Sequence, residues 1–376
     1  LPIFTCPTPF STRFKSPISL ISGKGSLASM YHSSDKKINL LGYSLESLEA
    51  FFNDIGEPKF RAKQLIKWVH QKGILDFSQM TDFNKILREK LELIACLRTP
   101  MIEKVYKSPE GTIKYLVKLE SGSMIEMVRI PEKKRMTLCI SSQAGCALQC
   151  TFCATGAQGF ETNLTPDEII GQLWLANFYQ EDEPPITNVV FMGMGEPLLN
   201  YKNVIESINQ ITSNIGIGIS NRKITLSTSG ISKMIKKMAD DNVKFNLAVS
   251  LHSALEKTRN NIMPFSKSFP LRDLIQSLEY WYKKTKRKIT FEYLIWKEIN
   301  DDFDHINALV KICKRIPSKV NLIEYNSTDS PKFESANVKW LNNYLNVLKD
   351  NKIPVSVRKS RGKDIDAACG QLANKH

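Results

Sequence analysis

Three cysteines stand close together at Cys146, Cys150 and Cys153, three residues apart and then two. Thiolates at this spacing are natural metal holders. An iron–sulfur cubane is usually held by four cysteines, so three would hold three corners and leave one iron open to a small ligand. Zinc also takes thiolates, but a closed zinc site asks for a fourth ligand, usually from a second pair at close spacing. No second Cys-x2-Cys occurs in the chain, and the other cysteines stand alone. The spacing therefore predicts one [4Fe–4S] cluster per chain on Cys146, Cys150 and Cys153.

Further polar residues recur at the ends of expected strands. Gly193-Met194-Gly195-Glu196-Pro197 follows an apolar run. Gly195 would let backbone approach a ligand closely, and Glu196 can accept from an ammonium group. Ser227, the run Ser250-Leu251-His252, and Asn326 end three more strands. Each alone could be a strand-end hydrogen bond to a loop. Together they would converge on one mouth of a barrel, where barrel active sites lie. Cys139 and Cys369 have no metal spacing, and a lone cysteine is usually a small buried thiol. Glu126, between Ile125 and Met127, reads by itself as an ordinary strand acid.

These residues need elements to hold them. Residues 44–105 carry helical stripes: Leu45, Leu48, Phe51, Phe52 and Ile55; then Ala62, Leu65, Ile66 and Val69; then Ile86, Leu87, Leu91 and Ile94. Ile113–Leu119 and Ser123–Ile130 read as an antiparallel hairpin. Strands are expected at Thr137–Ser141, Asn188–Met192, Lys223–Ser227, Lys244–Leu251, Lys288–Leu294, Lys319–Tyr325 and Pro354–Arg358, with helices between most of them. Thr165-Pro166-Asp167-Glu168 carries a helix-start signal. The alternation predicts an α/β fold with a parallel barrel or open sheet.

The chain has 376 residues and a net charge of +14, which favours a polyanionic partner such as nucleic acid. Scattered cysteines argue against a disulfide framework and for a reducing compartment. No run is long and apolar enough to span a membrane. Residues 1–34 hold no Asp or Glu and are rich in Ser and Pro. Residues 1–37 are expected to be an unstructured or over-extended N-terminal segment, with a transit-like peptide as the alternative.

The three-cysteine motif, with Phe152 before its last cysteine, resembles the radical S-adenosylmethionine (SAM) superfamily. A closer resemblance is to the RlmN family, the dual-specificity ribosomal and transfer RNA adenine-C2 methyltransferases. It is carried by Leu138–Gln143, Gly145–Leu148, Gly156–Gly159, Gly193–Leu198, Ser227–Gly230, Ser250–His252, Arg358–Gly362 and Asp364–Leu372, and spans roughly residues 38–373. The resemblance implies a radical SAM partial (β/α)6 TIM-like barrel over 106–376, with an N-terminal β-hairpin extension and a C-terminal catalytic-cysteine segment. It also implies a small helical RNA-binding domain over 38–105. Cofactors would be the cluster and SAM, with Gly195, Glu196, Ser227, Ser250, Leu251, His252 and Asn326 binding SAM. Cys369 would carry the methyl group as S-methylcysteine, Cys139 would release the product by forming a disulfide, and Glu126 would take the C2 proton. The implied substrates are adenine 2503 of 23S rRNA and adenine 37 of tRNA, with two SAM used per turnover. The implied partners include a one-electron reductant such as flavodoxin or ferredoxin. A cytoplasmic monomer is expected. A C8-methylating relative, and a non-catalytic RNA-binding protein with a structural metal, are the alternatives. The loop Ser327–Lys332 departs from the family pattern.

Overall fold

A computed structural model describes residues 37–180, 183–328 and 332–374. The expectation for residues 1–37 lies outside the described residues except for Lys37, and the divergent loop lies partly outside them.

The helical stripes form α1 (Leu45–Asp54), α2 (Phe60–His70) and α3 (Lys85–Ile94). Ser44 caps α1 by accepting from the Ser47 N–H, and Asn84 caps α3 by accepting from the Leu87 N–H. Their inner faces share a core of their own around Phe52, Leu65, Val69, Phe83 and Leu91. Ile86, expected in the α3 stripe, is instead 78% exposed. Only Leu87 and Leu91 of that helix are fully buried, one turn apart, and Ile86 lies off their line. This unit is tied to the helix Pro166–Phe178, whose Trp174 Nε1 donates to the Val69 carbonyl at 3.0 Å. That helix begins with the capping box foreseen at Thr165 and Glu168.

One ten-stranded sheet organises the rest. Its strands are β1 (Met101–Lys107), β2 (Ile113–Lys118), β3 (Met124–Glu132), β4 (Arg135–Cys139), β5 (Asn188–Phe191), β6 (Ile224–Thr228), β7 (Asn246–Ser250), β8 (Ile289–Ile295), β9 (Ser318–Glu324) and β10 (Val355–Arg358). They lie side by side in sequence order. β1 to β4 form an antiparallel meander, and β4 to β10 are parallel. The division expected at 105/106 falls inside β1, and the expected hairpin is the middle of that meander. Six parallel strands make the partial barrel, and β10 adds a seventh at its edge.

Strand side chains alternate between faces. Leu138, Val189, Leu226, Phe291 and Leu322 are buried on the outer face. The opposite phase points inward: Cys139, Met192, Ser227, Glu292, Asn321 and Arg358. Most barrel interiors are packed solid. This one is open, with Cys139, Ser227, Glu292, Asn321 and Arg358 on its wall. After β10 the chain turns back across the open side of the curved sheet. Arg361 pairs with Glu110 at 2.8 Å, and Ser108 donates to Asp364 at 2.8 Å. The C-terminal segment thus bridges β10 to the β1–β2 turn and brings Cys369 into the interior.

Candidate active site

Two cavities meet at Cys369. The upper one, about 150 Å³, is lined by Cys146, Cys150 and Cys153 together with Gly195, Glu196, Ser227, Ser250 and His252. The lower one, about 980 Å³, is lined by Cys139. Cys369 lines both.

The cysteine loop is fixed by its own backbone. Gly145 has φ +68°, and a Cβ there would meet the Gly159 carbonyl oxygen at 1.9 Å, so only glycine fits. Cys146 N–H donates to that same carbonyl at 2.7 Å. Thr151 N–H donates to the Ile262 carbonyl, and Ala154 N–H to the Gly370 carbonyl at 2.8 Å. The last bond joins the loop to the C-terminal segment.

Burial pushes the Cys146 thiol up to about 12 and raises those of Cys150 and Cys153. Neighbouring thiols add to the effect at Cys150. Such thiols give up their protons only when metal takes their place. Three thiols on one cavity wall are the donor set of a [4Fe–4S] cluster with one iron left open.

The strand-end residues divide. Glu196 is buried, and burial raises its carboxyl above the usual range. One oxygen accepts from the Leu198 N–H at 3.1 Å and the other from the Ser229 N–H at 2.7 Å. It holds two loops together while lining the cavity. Gly195 is required by packing: its φ is +95°, and a Cβ would meet the Gln143 Cβ at 2.5 Å. Gln143 in turn accepts from the Glu196 N–H at 2.8 Å. His252 has a positive φ of 54°, and its Nδ1 accepts from the Leu294 N–H at 3.2 Å. Burial lowers it to about 3, so it is neutral at any ordinary pH. Its ring meets Phe152 edge-on at 5.0 Å, just behind Cys153. Leu251 and Asn326 do not line the cavity. The Leu251 carbonyl accepts from Arg259, and its N–H donates to the Glu292 carbonyl at 3.1 Å. Asn326 Nδ2 donates to the Cys369 carbonyl at 3.4 Å, while its buried Oδ1 has no partner.

Glu126 lines neither cavity. It is fully buried, its Oε1 lies 3.0 Å from Lys114 Nζ, and its Oε2 accepts from the Ala373 N–H at 2.9 Å.

Three residues escaped the sequence reading. Arg259 is buried and donates to the carbonyls of Ser229, Ser250 and Leu251, clamping the ends of β6 and β7 beside Cys150. Glu292 and Arg358 stand on the wall that the two cavities share. Arg358 lay inside a motif singled out in the sequence. Its inward direction depends on the register of β8, β9 and β10, which no local pattern reports.

A model of the ribosomal RNA large subunit methyltransferase N-terminal domain matches residues 38–97, and one of the radical SAM superfamily matches 140–310. The chain is 49% identical over 344 residues to the probable dual-specificity RNA methyltransferase RlmN of Flavobacterium johnsoniae, covering 90% of this chain and 98% of that one. It is 45% identical to the RlmN of Pseudomonas entomophila, covering 90% and 91%. A crystal structure of a radical SAM methyltransferase from Sphaerobacter thermophilus superposes with a TM-score of 0.86 at 34% identity, over 90% of this chain and all of that one.

Proposed function

This chain belongs to the RlmN family of radical SAM RNA methyltransferases, and from that premise we propose that it methylates C2 of adenine in 23S rRNA and tRNA, with Cys369 as the carrier of the methyl group. One observation carries the reading: Cys369, alone among the expected site residues, lines both cavities. A carrier must face the donor of its methyl group on one side and the acceptor on the other.

When bound, the [4Fe–4S] cluster and SAM supply the electron, the organic radical and the methyl group. Cys146, Cys150 and Cys153 hold the cluster. Ser227, Ser250 and Glu196 face the space beside it and orient SAM, and His252 fills the wall as a neutral ring. Leu251 and Asn326 serve through backbone and positioning, with Asn326 holding the Cys369 turn.

The lower cavity takes the target base. Its size suits a nucleotide-sized ligand. Seven cationic and two acidic side chains line it, which favours a polyanion. The base must leave its stack to enter, at a cost of a few kcal/mol that is least in a loop or single strand. The helical unit packs behind the barrel and adds a further RNA contact surface.

A base joined through carbon to the Cys369 sulfur needs a way off. Cys139, on the same cavity, attacks that sulfur as a thiolate. An S–S bond forms and the S–C bond breaks. The electron pair stays on carbon, which takes up a proton and becomes the methyl group. Glu126 is the proposed acceptor of the C2 proton; its carboxylate pairs with Lys114 and accepts from the Ala373 N–H, beside the segment that carries Cys369.

The test is a trap. Cys139→Ala protein should accumulate an RNA adduct at Cys369 that survives denaturation, and the Cys139→Ala, Cys369→Ala double variant should form none. Free product at the wild-type rate from Cys139→Ala would contradict the scheme.

A further inference from the structure

We propose that Asn321 is a specificity-determining residue for the target base: the free edge of its carboxamide receives the N6 amino group and N7 of adenine. The proposal rests on the lower cavity being the base site, as argued above.

Asn321 lies on β9 between Glu292 of β8 and Ser356 of β10, in register with both. All three line the lower cavity. The row is bonded from end to end. Asn321 Nδ2 donates to Glu292 Oε1 at 2.9 Å, and Ser356 Oγ donates to Asn321 Oδ1 at 2.7 Å. The other Glu292 oxygen lies 3.7 Å from Arg358 Nη1. A carboxylate beside a guanidinium can only accept, so the amide nitrogen must face β8 and the amide oxygen β10. The carboxamide therefore has one orientation, although its oxygen and nitrogen are alike in shape.

Both bonds run sideways, along the row. A carboxamide keeps a second N–H and a second lone pair, which share the edge farthest from Cβ. A strand side chain stands out from its sheet, so this edge faces the lumen. Among the described residues it takes no further protein partner. One acceptor beside one donor is the pattern that pairs with adenine N6–H and N7. Guanine offers two acceptors there, and its O6 would meet the Asn321 oxygen.

The position suits this edge. Asn321 stands two residues before Ile323, which pairs with Arg358 and lines both cavities. It is thus roughly 6–7 Å farther from the upper cavity along the strand. In adenine, N7 is bonded to C5, the ring atom opposite C2, and N6 is beside it. With C2 toward Cys369, that edge points down the cavity to Asn321. Lys319, two residues earlier on the same strand face, lines the same cavity with a cation suited to phosphate.

A purely structural Asn321 would tie three strands together and treat every base alike. Reconstituted holoenzyme, without SAM or reductant, is titrated with fluorescent anticodon stem-loop RNAs carrying adenine, purine or 7-deazaadenine at the target position. Purine lacks the N6 amino group, and 7-deazaadenine lacks N7. Wild type should bind the adenine RNA about fivefold more tightly than either analogue, the low end for one bidentate pair. Asn321→Leu should bind all three alike, near the wild-type affinity for the analogues. The cost of flipping each base is common to both proteins and drops out of the comparison. A preference for adenine that Asn321→Leu keeps in full would overturn the proposal and leave the base site standing. If that variant fails to fold, equal wild-type affinity for adenine and 7-deazaadenine would overturn it. Equal binding of all three RNAs by wild type, with no loss on replacing Lys133 and Lys134 by Glu, would remove the base from the lower cavity and the proposal with it.

Discussion

The Ala373 N–H donates to Glu126 Oε2 at 2.9 Å, and this bond ties the segment that carries Cys369 to strand β3. Lys114 Nζ sits 3.0 Å from the other oxygen and also reaches the Asp366 carbonyl at 3.4 Å. One buried ion pair therefore holds both ends of the turn around Cys369.

Removing one partner of such a pair leaves an uncompensated buried charge, at a cost of about 3–5 kcal/mol. Glu126→Ala should lower thermal stability accordingly and loosen residues 366–374. Glu126→Gln, which can still accept from Ala373, should loosen them less. Hydrogen exchange of the C-terminal peptide, beside a melting curve, measures both. Equal exchange in wild type and Glu126→Ala would show that the anchor is elsewhere.

Gly195→Ala combines a positive φ with a Cβ placed 2.5 Å from Gln143. The cost should exceed about 1 kcal/mol. Because Gln143 also accepts from Glu196 N–H, SAM affinity should fall together with stability. Calorimetry and a SAM-binding titration report the two quantities.

His252 is held neutral by burial, with its folded value near 3 against 6.5 in the unfolded chain. Below 6.5 the unfolded chain takes up a proton that the folded one refuses. Its contribution is thus complete above pH 6.5 and is lost as pH falls toward 3, at about 1.4 kcal/mol per pH unit. Stability measured from pH 6.5 to 4.5 should fall more steeply in wild type than in His252→Phe. Parallel curves would contradict the neutral assignment.

Lys133 and Lys134 line the lower cavity on the turn between β3 and β4, and neither forms an ion pair among the described residues. Replacing both by Glu should weaken RNA binding and reduce the slope of log affinity against log salt by about 1–2. Titrations at several salt concentrations give the slope. An unchanged slope would move the RNA grip away from this cavity.

Much of this was legible in the sequence for a physical reason. The outer-face positions of the parallel strands are apolar and buried, so the strands stand out. The three cysteines announce themselves by spacing. The lumen does not. Glu292, Asn321 and Ser356 share a row only because β8, β9 and β10 pair in that register. Ile86 showed the reverse failure, an apolar residue at helical spacing that faces outward. Glu126 and Leu251 were foreseen as site residues, but their contacts with the Ala373 N–H and with Arg259 depend on tertiary structure and leave no mark in the sequence.

The central claim is C2 methylation of adenine carried by Cys369. Reconstituted protein should be incubated with SAM, a reductant and unmodified 23S rRNA fragments or tRNA, and the digested nucleosides resolved by mass spectrometry. The account predicts 2-methyladenosine with wild-type protein and none with Cys369→Ala. 8-Methyladenosine in its place, or full 2-methyladenosine formation by Cys369→Ala, would contradict it.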